Sequence, residues 1–169
     1  MKWKLLIACL LQVVLVRAQN ITQSFDQKIT AAARALACTE PDEQNPVTLN
    51  ATLVSMAGSD SIAVIVKAHL EPGWHLYAYV PDTMPYIVTE CILNPDANVK
   101  AVGSWVKSSP SASAMYPGVY IYEYEAVFIH KLKKESGAAT GIISTGLYYQ
   151  TCNLRQCLPP VEQTFELRY

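Results

Sequence analysis

The sequence has little net charge and no basic run. It has 13 Lys and Arg residues and 14 Asp and Glu residues, which gives a formal net charge of −1. Binding of nucleic acid needs clustered Lys and Arg against phosphates, so we predict no nucleic-acid partner. Beyond the N-terminus the chain also lacks an apolar run of about 18 residues, which a membrane helix requires. We therefore predict no stable membrane insertion.

The N-terminal residues carry a pattern that is typical of export. Lys2 and Lys4 precede an almost continuous apolar run at 5–16, and Ala18 offers a small residue at which cleavage can occur. This arrangement predicts a secretory signal peptide over residues 1–18. A lipoprotein anchored at Cys9 is the rival interpretation, which we disfavour because the apolar run continues after that residue.

Cysteines are few, and their number is even once the signal peptide is removed. The four that remain are Cys38, Cys91, Cys152 and Cys157. An oxidising compartment permits disulfides, and four cysteines allow three full pairings. Cys38 and Cys91 can either bond to each other or stay reduced and buried. One close pair without a second is poor zinc-ligand spacing, so we predict no metal.

The remaining sequence predicts one short helix followed by strands. Ser24 can cap a helix over 24–38 that places Ile29 and Leu36 on one face, although a loosely ordered arm is the alternative. From residue 47 onward, apolar residues alternate with polar ones between turn signals. The predicted strands are 47–53, 62–66, 74–80, 87–93, 99–105, 119–131, 142–149 and 164–167. We therefore predict an all-β, two-sheet antiparallel sandwich at 47–169, preceded by an arm or helix at 19–46.

The longest predicted strand, 119–131, is rich in tyrosine. Its period of two places Tyr120, Tyr122 and Tyr124 on one face, with Glu123 and Glu125 on the other. We interpret the tyrosines as a face that packs in the sandwich, with partner binding as the alternative, and the glutamates as a solvated face.

The pair Cys152 and Cys157 lies between two predicted strands, in the segment YYQTCNLRQCLPP. Four intervening residues are a common hairpin loop length, and cysteines opposed in such a hairpin have Cα atoms about 4.5–5.5 Å apart. That separation permits a disulfide. The spacing differs from the Cys-x-x-Cys of thioredoxin-like proteins, and by itself it leaves a structural staple and an exchangeable disulfide both open.

This segment resembles the active-site hairpin of the N-terminal periplasmic domain of DsbD, a transmembrane thiol-disulfide reductase. Three further segments are similar in the same order: PGWHLY at 72–77, AMYP at 114–117 leading into YIY at 120–122, and the last strand at 162–167. The resemblance covers about residues 47–167. It implies an immunoglobulin-like fold, which agrees with the sandwich that the strand pattern predicts.

The resemblance also implies an activity. Such a domain relays reducing equivalents through a mixed disulfide, in which Cys157 bonds the partner and Cys152 resolves the bond. No organic cofactor or metal takes part. The chain ends at Tyr169 without membrane segments or a thioredoxin-like domain. The expected partners, thioredoxin-like proteins or a membrane electron-transfer protein, therefore act in trans, and the expected location is the periplasm.

The site around the pair follows from the same resemblance. His75 and Tyr77 match residues close to the cysteines, and 113–117 matches a cap loop that covers the sulfurs. Met115, followed by Tyr116, stands where the family has an aromatic shield, and Ser113 and Ala114 stand where it has acidic residues. The alternative function is a non-catalytic immunoglobulin-like binding or assembly module whose disulfide is only structural.

Overall fold

The structure, a computed structural model, describes residues 24–135, 137 and 140–169. The predicted signal peptide and the rival lipid site at Cys9 lie outside these residues. In chain order the described elements are helix α1 (Phe25–Ala35) and strands β1 (Val47–Ser55), β2 (Ser61–Leu70), β3 (His75–Tyr79), β4 (Glu90–Pro95), β5 (Val99–Lys107), β6 (Ser111–Ala112), β7 (Tyr120–Glu123), β8 (Glu125–Lys134), β9 (Ile142–Tyr149), β10 (Thr151–Cys152) and β11 (Val161–Arg168).

The strands form two layers. One layer is the sheet β1-β2-β8-β5, and the other consists of the sheets β11-β9-β4 and β10-β3-β7-β6. Neighbouring strands pair antiparallel throughout these sheets. The predicted fold class, an all-β immunoglobulin-like sandwich with a short N-terminal helix, is confirmed. The sequence pattern missed the two short strands β6 and β10.

Strand β2 lies at the centre and is buried on both faces. Val64 and Val66 face the opposite layer, whereas Ile65 faces outward and packs against Ile29 and Ala33 of α1. An alternating pattern normally marks a strand with one face in solvent. Here the helix covers the second face, so both halves of the alternation are apolar.

Helix α1 begins where the sequence predicts. The Ser24 hydroxyl accepts the Gln27 N–H at 3.2 Å, and the Gln27 side chain accepts the Ser24 N–H at 2.9 Å, which is a reciprocal capping box. The helix ends at Ala35 rather than at residue 38. Asn50 of β1 donates a side-chain hydrogen bond to the Ala37 carbonyl at 2.6 Å, and this contact holds the following segment extended along the sheet.

The predicted single strand over 119–131 is wrong, because the chain breaks at Tyr124. This residue has a φ of 63°, and its carbonyl accepts the Leu70 N–H at 2.8 Å. Strand β7 before it belongs to one layer, and β8 after it belongs to the other. Left-handed φ is uncommon for a residue other than glycine, so no sequence signal indicated the break.

This break also overturns the predicted tyrosine face. Tyr122 is buried in the sandwich, whereas Tyr120 and Tyr124 are 44% and 66% exposed. Glu123 and Glu125 lie on strands of different sheets rather than on one face. Glu125 forms an ion pair with Lys67 at 3.1 Å, whereas Glu123 lines a groove that is described below.

Cys38 and Cys91 are free thiols on opposite sides of one sheet. The Cys38 Sγ donates to the Lys67 carbonyl at 3.4 Å on the outer, helix-covered face. Cys91 packs against the core between the layers. The intervening sheet prevents a bond between them, so the reduced alternative is the one that the structure adopts.

Candidate functional site

The cysteine loop projects from the hairpin that β9 and β11 form. Val161 pairs with Tyr149 at the end of the hairpin, so residues 150–160 are free to leave that sheet. Nearer its middle, Gly146 approaches the Gln163 carbonyl so closely that no Cβ fits there. Strand β9 ends at Tyr149, the residue at which the sequence pattern places its end.

The projecting chain joins a different sheet. Thr151 and Cys152 form β10, which pairs with Leu76 and His75 of β3. The Thr151 hydroxyl adds a hydrogen bond to the His75 carbonyl at 3.0 Å. This change of sheet brings Cys152 beside His75, a residue that is distant in sequence.

Asn153 shapes the tip of the loop. Its Oδ1 accepts the backbone N–H groups of Arg155 at 2.8 Å and Gln156 at 2.9 Å. The Asn153 N–H in turn donates to the Gln156 carbonyl at 2.9 Å. Asparagine side chains often mimic a backbone turn in this way. The turn returns the chain so that Cys157 lies opposite Cys152.

The two cysteines are bonded, but their surroundings are unequal. Cys152 and Cys157 form a disulfide with Cα atoms 4.0 Å apart, slightly closer than the spacing argument predicts. Cys152 is only 1% exposed and belongs to the cluster beneath the site, whereas Cys157 is exposed. A partner approaching from solvent therefore meets Cys157 first.

A row of aromatic rings borders the disulfide. His75 contacts Tyr77 edge to face, with ring centroids 5.0 Å apart, and Tyr77 stacks on Tyr86 at 4.7 Å. Tyr116 continues the row, 5.8 Å from Tyr86. Tyr77 is 1% exposed and forms part of the apolar cluster that also contains Cys152.

The predicted cap loop connects β6 to β7. The Ser113 hydroxyl accepts the backbone N–H groups of Met115 and Tyr116 at 3.3 Å each, which holds a tight turn. Met115 is 49% exposed, while Tyr116 packs on the cluster beneath the site. The aromatic contact of this loop therefore comes from Tyr116, one position after the residue that the resemblance indicates.

These elements enclose one groove of about 470 Å³. All six predicted site residues line it: His75, Tyr77, Met115, Tyr116, Cys152 and Cys157. Three further residues, Tyr86, Glu123 and Arg155, line the same groove, although no sequence pattern assigned them to the site. Arg155 lies between the two cysteines in sequence, so its place near them could have been predicted. Only the tertiary structure brings Tyr86 and Glu123 to the groove.

Burial and neighbouring groups alter the acid-base properties of the groove. Burial lowers the pKa of His75, and the nearby Glu123 carboxylate partly opposes this effect. Burial, with Tyr86 and Tyr116 nearby, raises the pKa of Tyr77 to about 12. Near neutral pH the groove therefore presents a neutral His75 imidazole and a neutral Tyr77 phenol.

Within the residues that the structure describes, no three His, Cys, Asp or Glu side chains gather as metal ligands. No helix in that part of the chain has the length and hydrophobicity needed to span a membrane. The fold and the site together define an immunoglobulin-like sandwich that carries a half-exposed disulfide in a groove lined by aromatic side chains.

Solved structures with a similar fold include the N-terminal periplasmic domain of ScsB from Proteus mirabilis, at 18% identity and a TM-score of 0.48. That alignment covers 78% of this chain and 49% of the other, so this chain spans about half the length of the ScsB chain. The N-terminal domain of Neisseria meningitidis DsbD in its reduced form aligns at 17% identity and a TM-score of 0.44, covering 82% of this chain and 96% of that one.

The GAE domain of GGA2p from Saccharomyces cerevisiae also aligns, at 7% identity and a TM-score of 0.43, covering 78% of this chain and 97% of that one. No protein-family model matches the sequence, and no curated protein matches it.

Proposed function

We propose that this chain is a thiol-disulfide interchange domain of the periplasm. It relays reducing equivalents between thioredoxin-like or membrane partners, acting in trans, and oxidised periplasmic proteins. The observation that carries this proposal is the unequal exposure of the disulfide: Cys157 is exposed in a groove while Cys152 is buried. A purely structural staple requires neither a groove nor one accessible sulfur.

In the proposed reaction one disulfide bond is exchanged for another, and two electrons pass from the domain to the partner. In the reduced domain, the Cys157 thiolate attacks a disulfide of the partner and forms a mixed disulfide, while the other partner sulfur leaves as a thiolate. Cys152 then attacks the Cys157 sulfur, which forms the Cys152–Cys157 bond and releases the second partner thiol. The partner gains two electrons and the domain loses two. Because exchange is reversible, a reducing partner can reduce the Cys152–Cys157 disulfide by the same steps in reverse. No metal or organic cofactor takes part.

The surrounding residues have assignable roles in this proposal. His75 and Tyr77 form the groove wall beside Cys152, and the cap loop with Met115 and Tyr116 limits access to the sulfurs. Met115 is flexible and polarisable, so it can pack on a sulfur and move aside for a partner. Leu154, 76% exposed at the tip of the cysteine loop, adds an apolar contact for that partner.

We propose thioredoxin-like proteins as the partner class and the periplasm as the location. The N-terminal domain of Neisseria meningitidis DsbD forms a complex with the N-terminal domain of PilB. A thioredoxin-like partner suits this chain because one exposed sulfur in a groove can admit the protruding cysteine of such a protein. We further propose that residues 1–18 are a signal peptide, that 19–46 form the arm and helix, and that 47–169 form the exchange domain.

A trapping experiment tests the function. Cys152→Ser cannot resolve a mixed disulfide, so it should accumulate a covalent complex with an oxidised thioredoxin, and dithiothreitol should release that complex. Cys157→Ser is the matched control and should trap far less, because Cys152 is buried.

The reduction potential provides a second, independent measurement. An exchange-active pair should equilibrate with glutathione or thioredoxin at a potential less negative than about −300 mV. A more negative potential, together with no complex from Cys152→Ser, would support the alternative of a binding module with a structural disulfide and would refute the proposal.

A further inference from the structure

Four chemically active side chains lie in register across the groove. Cys157 is bridged to Cys152, Cys152 pairs with His75 of β3, and His75 pairs with Glu123 of β7. Directly opposed residues in antiparallel strands project to the same face, with Cβ atoms about 4.5–5.5 Å apart. All four line the same groove. The row thus runs from an exposed sulfur, through a buried one, to an imidazole and a carboxylate.

We propose that His75 is the proton acceptor for Cys152 when this thiol resolves the mixed disulfide, and that Glu123 is the positioning residue for His75. The proposal deepens the exchange function proposed above and rests on it. It assigns the base to the buried sulfur rather than to Cys157, because His75 is the direct cross-strand neighbour of Cys152. Water has little access to Cys152, which is 1% exposed, so a neighbouring side chain is better placed than solvent to take its proton.

The step balances without any further reagent. The neutral His75 imidazole takes the proton of the Cys152 thiol and becomes imidazolium. The Cys152 thiolate attacks the Cys157 sulfur, a sulfur–sulfur bond forms between the two cysteines, and the bond from Cys157 to the partner breaks. The partner leaves as a thiolate and accepts the proton from the imidazolium. The partner is reduced and the domain is oxidised.

The surroundings of His75 suit this role. Burial keeps the imidazole neutral and able to accept a proton, while Glu123 opposes that effect and stabilises the imidazolium once it forms. The Ser111 hydroxyl lies 3.2 Å from the Glu123 Oε2 and holds the carboxylate in place. The other titratable or charged side chains that line the groove are Tyr77, Tyr86, Tyr116 and Arg155.

Stopped-flow reaction of the reduced protein with dithiobis(nitrobenzoate), a small aromatic disulfide, separates the two chemical steps. The first release of thionitrobenzoate reports attack by Cys157, and the second reports resolution by Cys152. Cys38→Ser and Cys91→Ala in every protein confine the reaction to the pair. We expect His75→Gln to slow the second release about 100-fold near neutral pH, the usual scale of base catalysis, and to change the first less than about twofold.

The pH dependence distinguishes a proton acceptor from a merely structural residue. In the unmodified protein the second rate should level off above the pKa of His75. In His75→Gln it should instead keep rising with pH, because the Cys152 thiol must then ionise without a neighbouring base. Glu123→Gln should move the inflection to lower pH, because the Glu123 carboxylate raises the pKa of His75. His69→Gln and Glu125→Gln, outside the groove, are the matched controls and should leave both releases unchanged.

Two outcomes would overturn the inference alone: an unaltered second release in His75→Gln, or equal slowing of both releases. If the unmodified protein gives no second release, the pair does not exchange and the proposed function fails as well. Circular dichroism of the oxidised variants verifies folding, and His75→Asn provides the same test should His75→Gln not fold.

Discussion

Tyr77 and Tyr86 stack face to face, with ring centroids 4.7 Å apart and planes inclined by 14°. Tyr77 lies on β3, while Tyr86 belongs to the segment between β3 and β4. Through this stacking contact, the segment packs against the wall of the cysteine groove. A parallel bridge between Tyr77 and Val88 supports the same connection.

The buried Tyr77 predicts loss of stability in alkali. Its pKa is raised from 10.0 to about 12, so the folded protein keeps this proton more tightly than the unfolded chain does. The corresponding stabilisation is complete below pH 10.0 and is lost as the pH rises toward about 12. Urea denaturation across this interval should show a falling midpoint. Tyr77→Phe should flatten the decline, whereas Tyr79→Phe, at a residue that is 55% exposed, should leave it unchanged.

The Asn153 turn predicts a change in reduction potential. Asn153→Ala removes the acceptor of two loop hydrogen bonds, so the reduced loop holds Cys157 near Cys152 less often. A loss of about 1–2 kcal/mol makes the disulfide easier to reduce, by about 20–40 mV. Titration against a glutathione buffer measures the shift. Gln156→Ala in the same loop is the control, and an equal shift in both variants would refute a specific role for Asn153.

The four described cysteines should react in a fixed order with iodoacetamide. In the oxidised protein only Cys38 and Cys91 are free to react. After reduction, Cys157 should be labelled first because it is exposed. Cys91 should be among the last, since burial raises its pKa to about 11 and leaves about one thiolate in a thousand at about pH 8.

Peptide mass spectrometry at successive times measures this order, and labelling in denaturant, where burial is lost, provides the reference. Faster labelling of Cys152 than of Cys157 in the folded, reduced protein would contradict both the exposure difference and the roles assigned to the two sulfurs.

The left-handed Tyr124 predicts a substitution that stabilises the protein. Its φ of 63° costs a residue with a Cβ about 1–2 kcal/mol, which glycine avoids. Because the side chain is 66% exposed, little packing is lost, and we expect Tyr124→Gly to raise the free energy of unfolding by up to about 1 kcal/mol. Tyr120→Gly, within regular β7, should lower it instead. Denaturant midpoints decide, and a destabilised Tyr124→Gly would show that contacts of the ring outweigh the backbone strain.

Local patterns were sufficient for much of the fold. Alternation of apolar residues placed most of the strands, since burying one face of a strand requires a period of two. Ser24 and Gln27 placed the start of the helix because capping depends only on near neighbours. The same reasoning failed at Tyr124, where a change of layers depends on contacts with β2, distant in sequence.

The sequence has few cysteines, and of these only Cys152 and Cys157 lie close together along the chain. Spacing was enough to predict that the two can bond, because a hairpin sets the distance between opposed residues. Which sulfur faces solvent depends on the β10–β3 pairing and on the cluster beneath the groove. The position of Glu123 beside His75 likewise follows from strand register. Burial and register are properties of the packed sheets, so only the tertiary structure decided them.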